Sequence, residues 1–193
     1  TVYEPHYQHY KNDFGTTIAG FFSDEPEIGN GHLYEMGKQI SDLEDQAWSR
    51  EVEAELKKRW GRSFTAWLSL IWNQPVDSDL CAKVRYDYMD VVTWAVEKDF
   101  SYQIGNWCRK RGVQYIGHLI EDNNQHSRTG SSLGHYFRGL AGQDMAGIDN
   151  IVGQVLPCQE ETSGVYPGSK GRDGHFYHYV LGKLAASAAA LEP

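Results

Sequence analysis

The stretch Ile18-Ala19-Gly20-Phe21-Phe22-Ser23-Asp24-Glu25-Pro26 decides how this chain is read. A continuous apolar run that stops at a turn signal is the pattern of a buried strand. Pro26 cannot continue a hydrogen-bonded ladder, so a strand expected over residues 16–22 stops at the acidic pair Asp24-Glu25. The pattern returns at Val113-Gln114-Tyr115-Ile116-Gly117-His118-Leu119-Ile120-Glu121-Asp122, which reads as a strand over 113–120. Each run delivers carboxylates where a strand ends, the place where barrel enzymes put their chemistry.

Between these runs the pattern is helical. Leu33, Met36, Ile40, Leu43 and Ala47 recur every three or four residues, so 33–60 is expected to be helix. The charged run Arg50 to Arg59 is its solvated face, and Gly61 stops it. Residues 63–72 are apolar and ambiguous; a short helix closed by Pro75 is the favoured reading. The strongest helical signal spans 79–111, where Val84, Tyr88, Val91, Val92, Ala95, Phe100, Ile104 and Trp107 trace a slowly drifting stripe. Asp79 is the expected N-cap. Arg109-Lys110-Arg111 suits the negative end of the dipole, and Gly112 terminates the helix. A short helix at 133–141, a third strand within 145–152, a Gly-rich loop over 153–173 and a last helix at 174–190 follow.

This order implies parallel strands joined by right-handed crossovers. The expected fold class is α/β with parallel β/α repeats, a partial or complete TIM (β/α)8 barrel. Residues 1–193 read as a single domain. A whole barrel takes about 250 residues, so the chain is expected to be the central part of one. An open doubly wound sheet is the alternative. No GxGxxG or P-loop follows a strand, which lowers nucleotide-binding variants.

The formal net charge of -8 argues against nucleic acid and anionic membranes, since both need a basic face. Six Trp and 12 Tyr suit a sugar-binding cleft, although an aromatic-rich core is the favoured explanation for most of them. Cys81, Cys108 and Cys158 form neither a zinc knuckle nor a CxxC, and Cys81 and Cys108 lie far apart on one expected helix, so no disulfide is expected between them. No apolar run reaches the length of a membrane span and no signal peptide opens the sequence, which leaves the compartment open. Thr1 at the start and the run Lys183 to Ala190 at the end suggest a piece of a longer polypeptide; a processed chain or a cloning-derived tail at 188–192 would look the same.

Glycoside cleavage needs one carboxyl to protonate the leaving oxygen and a second to activate water or attack directly. Glu25 is the candidate acid and Glu121 the candidate base or nucleophile, with the exchange of roles left open. Capping or surface ion pairing is the competing explanation for both. Asp24 and Asp122 adjoin them; Asp24 would bind a hydroxyl or orient Glu25. On a strand Asp24 and Glu25 point to opposite faces, and only past its end do they share a cleft. His118 lies on the opposite parity from Glu121 and is read as a substrate contact or a buried support. Asn123 and His126 belong to a polar loop at the same end, and Asp149 closes the third expected strand; all three are candidate substrate contacts. Asp24, Glu25, Glu121, Asp122 and Asp149 together offer hard oxygen ligands for Ca²⁺, without EF-hand spacing. His175 and His178 share a face but lack a third ligand.

Phe21-Phe22-Ser23-Asp24-Glu25-Pro26, Ile116-Gly117-His118-Leu119-Ile120-Glu121-Asp122 and Asp144-Met145-Ala146-Gly147-Ile148-Asp149, with the helix ending Cys108-Arg109-Lys110-Arg111-Gly112, carry a resemblance. The chain resembles the catalytic barrel of bacterial glycoside hydrolases of the α-L-rhamnosidase type (family 106), over most of residues 14–152. Asp24-Glu25-Pro26 is also similar to the Asn-Glu-Pro acid of the wider retaining clan, with Asp in place of Asn. The resemblance implies a barrel glycosidase acting on an oligosaccharide or glycoside, with Glu25 and Glu121 as the pair. It further implies inversion, calcium near the sugar and large flanking β-domains, while paired-carboxylate chemistry itself requires no cofactor. Two other functions compete. A metal-dependent hydrolase would use His118, His126 and the acidic residues, but no HxH pair is present. A non-catalytic carbohydrate-binding or structural fragment would bind without turnover. An incomplete barrel would also self-associate or recruit a partner segment, because its sheet edges and helix faces are uncovered.

Overall fold

The computed structural model describes residues 2–28, 46–72, 78–119, 132–150, 154–155, 161–162, 172–173 and 176–191. Their elements run α1 (Tyr3–Tyr10), β1 (Gly20–Asp24), α2 (Arg50–Trp60), α3 (Phe64–Leu68), α4 (Asp79–Val96), α5 (Tyr102–Arg109), β2 (Gln114–His118), α6 (Tyr136–Leu140), β3 (Met145–Ala146), β4 (Glu161–Thr162), β5 (Arg172–Asp173) and α7 (Leu181–Leu191). Short 3₁₀ turns flank α3, and π-helical turns occupy Glu97–Ser101 and Phe176–Val180.

The helix starts and stops follow local chemistry. Ser49 is extended and its Oγ accepts the Val52 N–H at 3.1 Å, so helix begins at Arg50; residues 46–49, expected to be helical, are not. The remainder of that expectation, residues 29–45, lies outside the described residues. Glu51 and Glu53 open α2 and Lys57, Lys58 and Arg59 close it, each sign at the dipole end that favours it. At α4 the cap is Ser78, whose Oγ accepts the Cys81 N–H at 3.1 Å. Asp79, the expected cap, is the first helical residue. Both residues suit the site, but only Ser78 has the extended backbone that a cap requires. Ser78→Ala is expected to destabilise the protein by about 1 kcal/mol (roughly 0.5–2), measured by urea denaturation, whereas Asp79→Ala should cost only a few tenths.

The helices α2 and α4 and the turn after α3 pack on one another through Val52, Leu56, Trp60, Ile71, Val84, Tyr88 and Val92, with Phe64, Trp67 and Leu68 of α3 against them. Two polar bonds fix this layer: the buried Trp60 Nε1–H donates to Asp87 Oδ2 at 3.0 Å, and the Tyr88 hydroxyl to the Ala47 carbonyl at 2.7 Å. The stripe of 79–111 drifts because α4 and α5 form one rod interrupted by the π turn. The wider turn rotates the buried face from this layer toward the sheet.

The sheet has order β1-β2-β3 and all pairs are parallel, with Asp24 opposite His118 and Ile116 opposite Met145. Phe21, Tyr115 and Val113 face the helices and pack with Cys108, Ile104, Trp107 and Phe14. Leu119 and Ala146 pack with Leu133, Leu140, Leu184 and Ala188. Asp144 ties β3 to β2: its Oδ2 accepts the Tyr115 N–H at 2.7 Å and its Oδ1 pairs with Arg109. Phe22 (58% exposed) and Met145 (60%) lie on the other face, which no described helix covers.

The expected partial or complete TIM barrel is therefore corrected. The described residues form an open three-stranded parallel sheet that does not close and is covered by helices on one face. β3 is two residues long where 145–152 was expected to contain a longer strand. Gly147 follows it so closely that a Cβ there would sit 2.3 Å from the Gly117 carbonyl oxygen. The stretch read as loop over 153–173 contains the antiparallel pair β4-β5. Cys81 and Cys108 are buried free thiols, and burial pushes the Cys108 thiol up to about 11. Among the described residues, no helix is long and apolar enough to cross a membrane.

Candidate functional site

β1 and β2 end side by side, so their last residues, Asp24 and His118, are register partners. Side chains opposite one another in a parallel pair share a face, and these two meet: the His118 Nε2–H donates to Asp24 Oδ1 at 2.9 Å. Its other ring nitrogen, Nδ1, lies 3.3 Å from the Leu119 carbonyl. His118 is buried while the Asp24 side chain is 76% exposed, so a fixed imidazole anchors a solvent-facing carboxylate. The ring of Phe22, two residues before Asp24 on the same face, stands 5.6 Å from the imidazole.

Glu25 completes the group. It takes φ +44°, a conformation that L side chains rarely adopt and that costs about 1–3 kcal/mol. The turn breaks the strand alternation that would send Asp24 and Glu25 to opposite faces. One polar side-chain atom from each of Asp24, Glu25 and His118 lies within 4.8 Å of the others. The group stands at the carboxyl ends of adjacent parallel strands, where open α/β sheets bind ligands. Glu27 adjoins it: burial first, and the Glu25 carboxylate second, push its carboxyl above the usual range.

Of the residues expected from sequence, the structure brings Asp24, Glu25 and His118 together. Asp149 follows the end of β3 by three residues, is half-buried and is not part of the group. Glu121, Asp122, Asn123 and His126 lie outside the described residues, as does His175; His178 is exposed on the π turn before α7. Phe22 and Glu27 are the two neighbours that sequence reasoning missed. Their signals were present: Phe22 shares the parity of Asp24, and Glu25-Pro26-Glu27 puts a second carboxylate just past the proline.

The group can hold a proton donor in Glu25, an oriented acceptor in Asp24 and a hydrogen-bonded imidazole beneath them. It can also offer two oxygens and one nitrogen to a divalent cation, though a metal on Nε2 would have to displace the Asp24–His118 hydrogen bond. No family model, curated protein or solved structure matches the chain.

Proposed function

We propose that the chain hydrolyses a glycosidic bond, with Glu25 as the proton donor and Glu121 as its partner. The observation that carries this reading is the strained Glu25, placed beside the Asp24–His118 pair at the end of β1. Strain of this kind persists where the surroundings over-determine it, and it concentrates at functional sites. The resemblance of the Asp24-Glu25-Pro26 and Ile116–Asp122 segments to rhamnosidase-type glycosidases supplies the reaction class. In the sequence Glu121 comes three residues after His118, the end of β2, and β2 pairs with β1, whose last residue precedes Glu25.

Glu25 gives its proton to the glycosidic oxygen as the C–O bond breaks, and positive charge develops on the sugar ring. Glu121 either takes a proton from the water that attacks the anomeric carbon or bonds to that carbon itself. The separation of the two carboxyl groups decides which. Asp24, turned outward and held by His118, accepts a sugar hydroxyl. His118 is a positioning residue, since its Nε2–H is committed to Asp24. Phe22 offers an exposed ring to the C–H face of the sugar. The test is hydrolysis of a panel of aryl glycosides. Turnover of one member, lost on Glu25→Gln, supports the reading; no turnover across the panel contradicts it.

One observation favours a second reading, a metal-dependent hydrolase: the three convergent ligand atoms of Asp24, Glu25 and His118. That reading expects stoichiometric binding of Zn²⁺ or Mn²⁺ that is lost in His118→Asn, and activity abolished by chelators. Activity that survives exhaustive chelation discards it.

A further inference from the structure

A cavity of about 420 Å³ opens between the π turn at Glu97, the start of α6, β3 and the end of α7. None of its lining residues belongs to the Asp24–Glu25–His118 group. Its volume falls in the range of small-molecule sites, about 300–1,000 Å³. A π turn interrupting a long helix is itself frequent at functional sites.

The polar groups on its wall specify a ligand chemistry. Arg138 Nη1 donates to Asp90 Oδ1 at 2.8 Å, Arg138 Nε lies 3.6 Å from Glu97, and Arg59 shares Asp90 at 2.6 Å. Behind the wall Arg59 balances Asp90, on the wall Arg138 balances Glu97, and the other acid on the wall, Asp144, is paired with Arg109. An anionic ligand would meet the Glu97 carboxylate, and a cationic one the Arg138 guanidinium. Every bond that Arg138 makes through its side chain leaves from Nη1 or Nε, so among the described residues both Nη2 protons are available. The His135 Nδ1 accepts the Arg138 backbone N–H at 3.3 Å, which puts the proton of the neutral ring on Nε2. Burial, and after it the Arg138 charge, hold that ring below its usual pKa and so favour this neutral form. Gln143 also lines the cavity, but its Oε1 is buried beneath the wall and offers nothing to a ligand there. The charge-balanced cavity therefore presents donors at Arg138 and His135 and an acceptor at Glu97, and Phe137 supplies an apolar wall.

We propose that this cavity binds an uncharged hydroxyl-bearing ligand with one apolar face, a sugar unit, at a site distinct from Glu25. A hydroxyl both donates and accepts, so adjacent hydroxyls satisfy Glu97 on one side and Arg138 and His135 on the other. The choice of a sugar among such ligands rests on the glycoside reading; the demand for a neutral hydroxylated ligand does not.

The test is calorimetric titration of the chain with neutral monosaccharides, L-rhamnose and D-glucose among them, and with D-glucuronate as the anionic probe. Two variants locate the binding. Ala189→Trp fills the cavity from an exposed position on α7 and leaves the polar network intact. Glu97→Gln removes one negative charge. The expected result is binding of a neutral sugar that Ala189→Trp abolishes. Glu97→Gln should weaken that binding roughly tenfold to a hundredfold, the range for a lost hydrogen bond to a charged group, and strengthen glucuronate. Glu25→Gln should leave it unchanged, which separates failure here from failure of the catalytic reading. No neutral sugar binding, binding indifferent to Ala189→Trp, or tighter binding of glucuronate than of any neutral sugar in the unaltered chain would each overturn the proposal.

Discussion

Glu25→Gln is expected to lower kcat on an unactivated aryl glycoside by about 10²–10⁴, the usual worth of a general acid. Gln keeps the size and the hydrogen-bonding capacity of Glu but has no proton to give. The loss should therefore depend on the leaving group: a dinitrophenolate departs without help, so on that substrate the variant should recover most of the activity. A residue that merely braces the turn would depress both substrates equally. The φ of +44° is a backbone property, and Gln bears it no worse than Glu, so the melting temperature should stay within a few degrees. An unchanged kcat on the unactivated substrate would remove Glu25 from the chemistry. An equal loss on both substrates would make it a structural residue.

The second large effect concerns stability. Leu56→Ala is expected to destabilise the chain by about 2–5 kcal/mol, read as a lower urea midpoint at unchanged slope. Leu56 is fully buried in the layer formed by α2, α3 and α4, in the cluster that holds Trp60, Val84 and Tyr88. Truncation loses the transfer energy of the missing carbons and leaves a hole. Trp60 and Tyr88 cannot readily move to fill it, because their polar ends are bonded to Asp87 and the Ala47 carbonyl. A cost below about 1 kcal/mol would mean that the layer collapses around the gap and is looser than these bonds imply.

Much of the local structure was legible in the sequence. The apolar runs marked β1 and β2, although β1 spans Gly20–Asp24 rather than 16–22 and includes Asp24, and the drifting stripe marked the α4–α5 rod. Closure was not legible. A strand-helix alternation reads alike in a barrel and in an open sheet, and what decides between them is whether an uncovered face meets further strands. Here Phe22 and Met145 stay exposed on that face. The third strand was overread because its apolar residues continue past Gly147, whereas its pairing with β2 stops at Ala146, and the last bond across is the Gly147 N–H to the Gly117 carbonyl at 3.0 Å. Ser78 and Asp79 were both plausible caps, and backbone extension rather than residue type selected Ser78.

At the site, residue types were readable and geometry was not. Pro26 announced the end of β1, but nothing in the letters announced a positive φ at Glu25. That angle allows consecutive acids to converge and draws Glu27 into the field of Glu25. The Asp24–His118 bond depends on strand register, which two runs far apart in sequence do not reveal by themselves.

The separation between the Glu25 and Glu121 carboxyl groups in a crystal structure tests the central claim most directly. Paired catalysis predicts about 5–5.5 Å for a retaining enzyme or about 6.5–9.5 Å for an inverting one. A much larger separation, or carboxyl groups on opposite faces of the sheet, would contradict it.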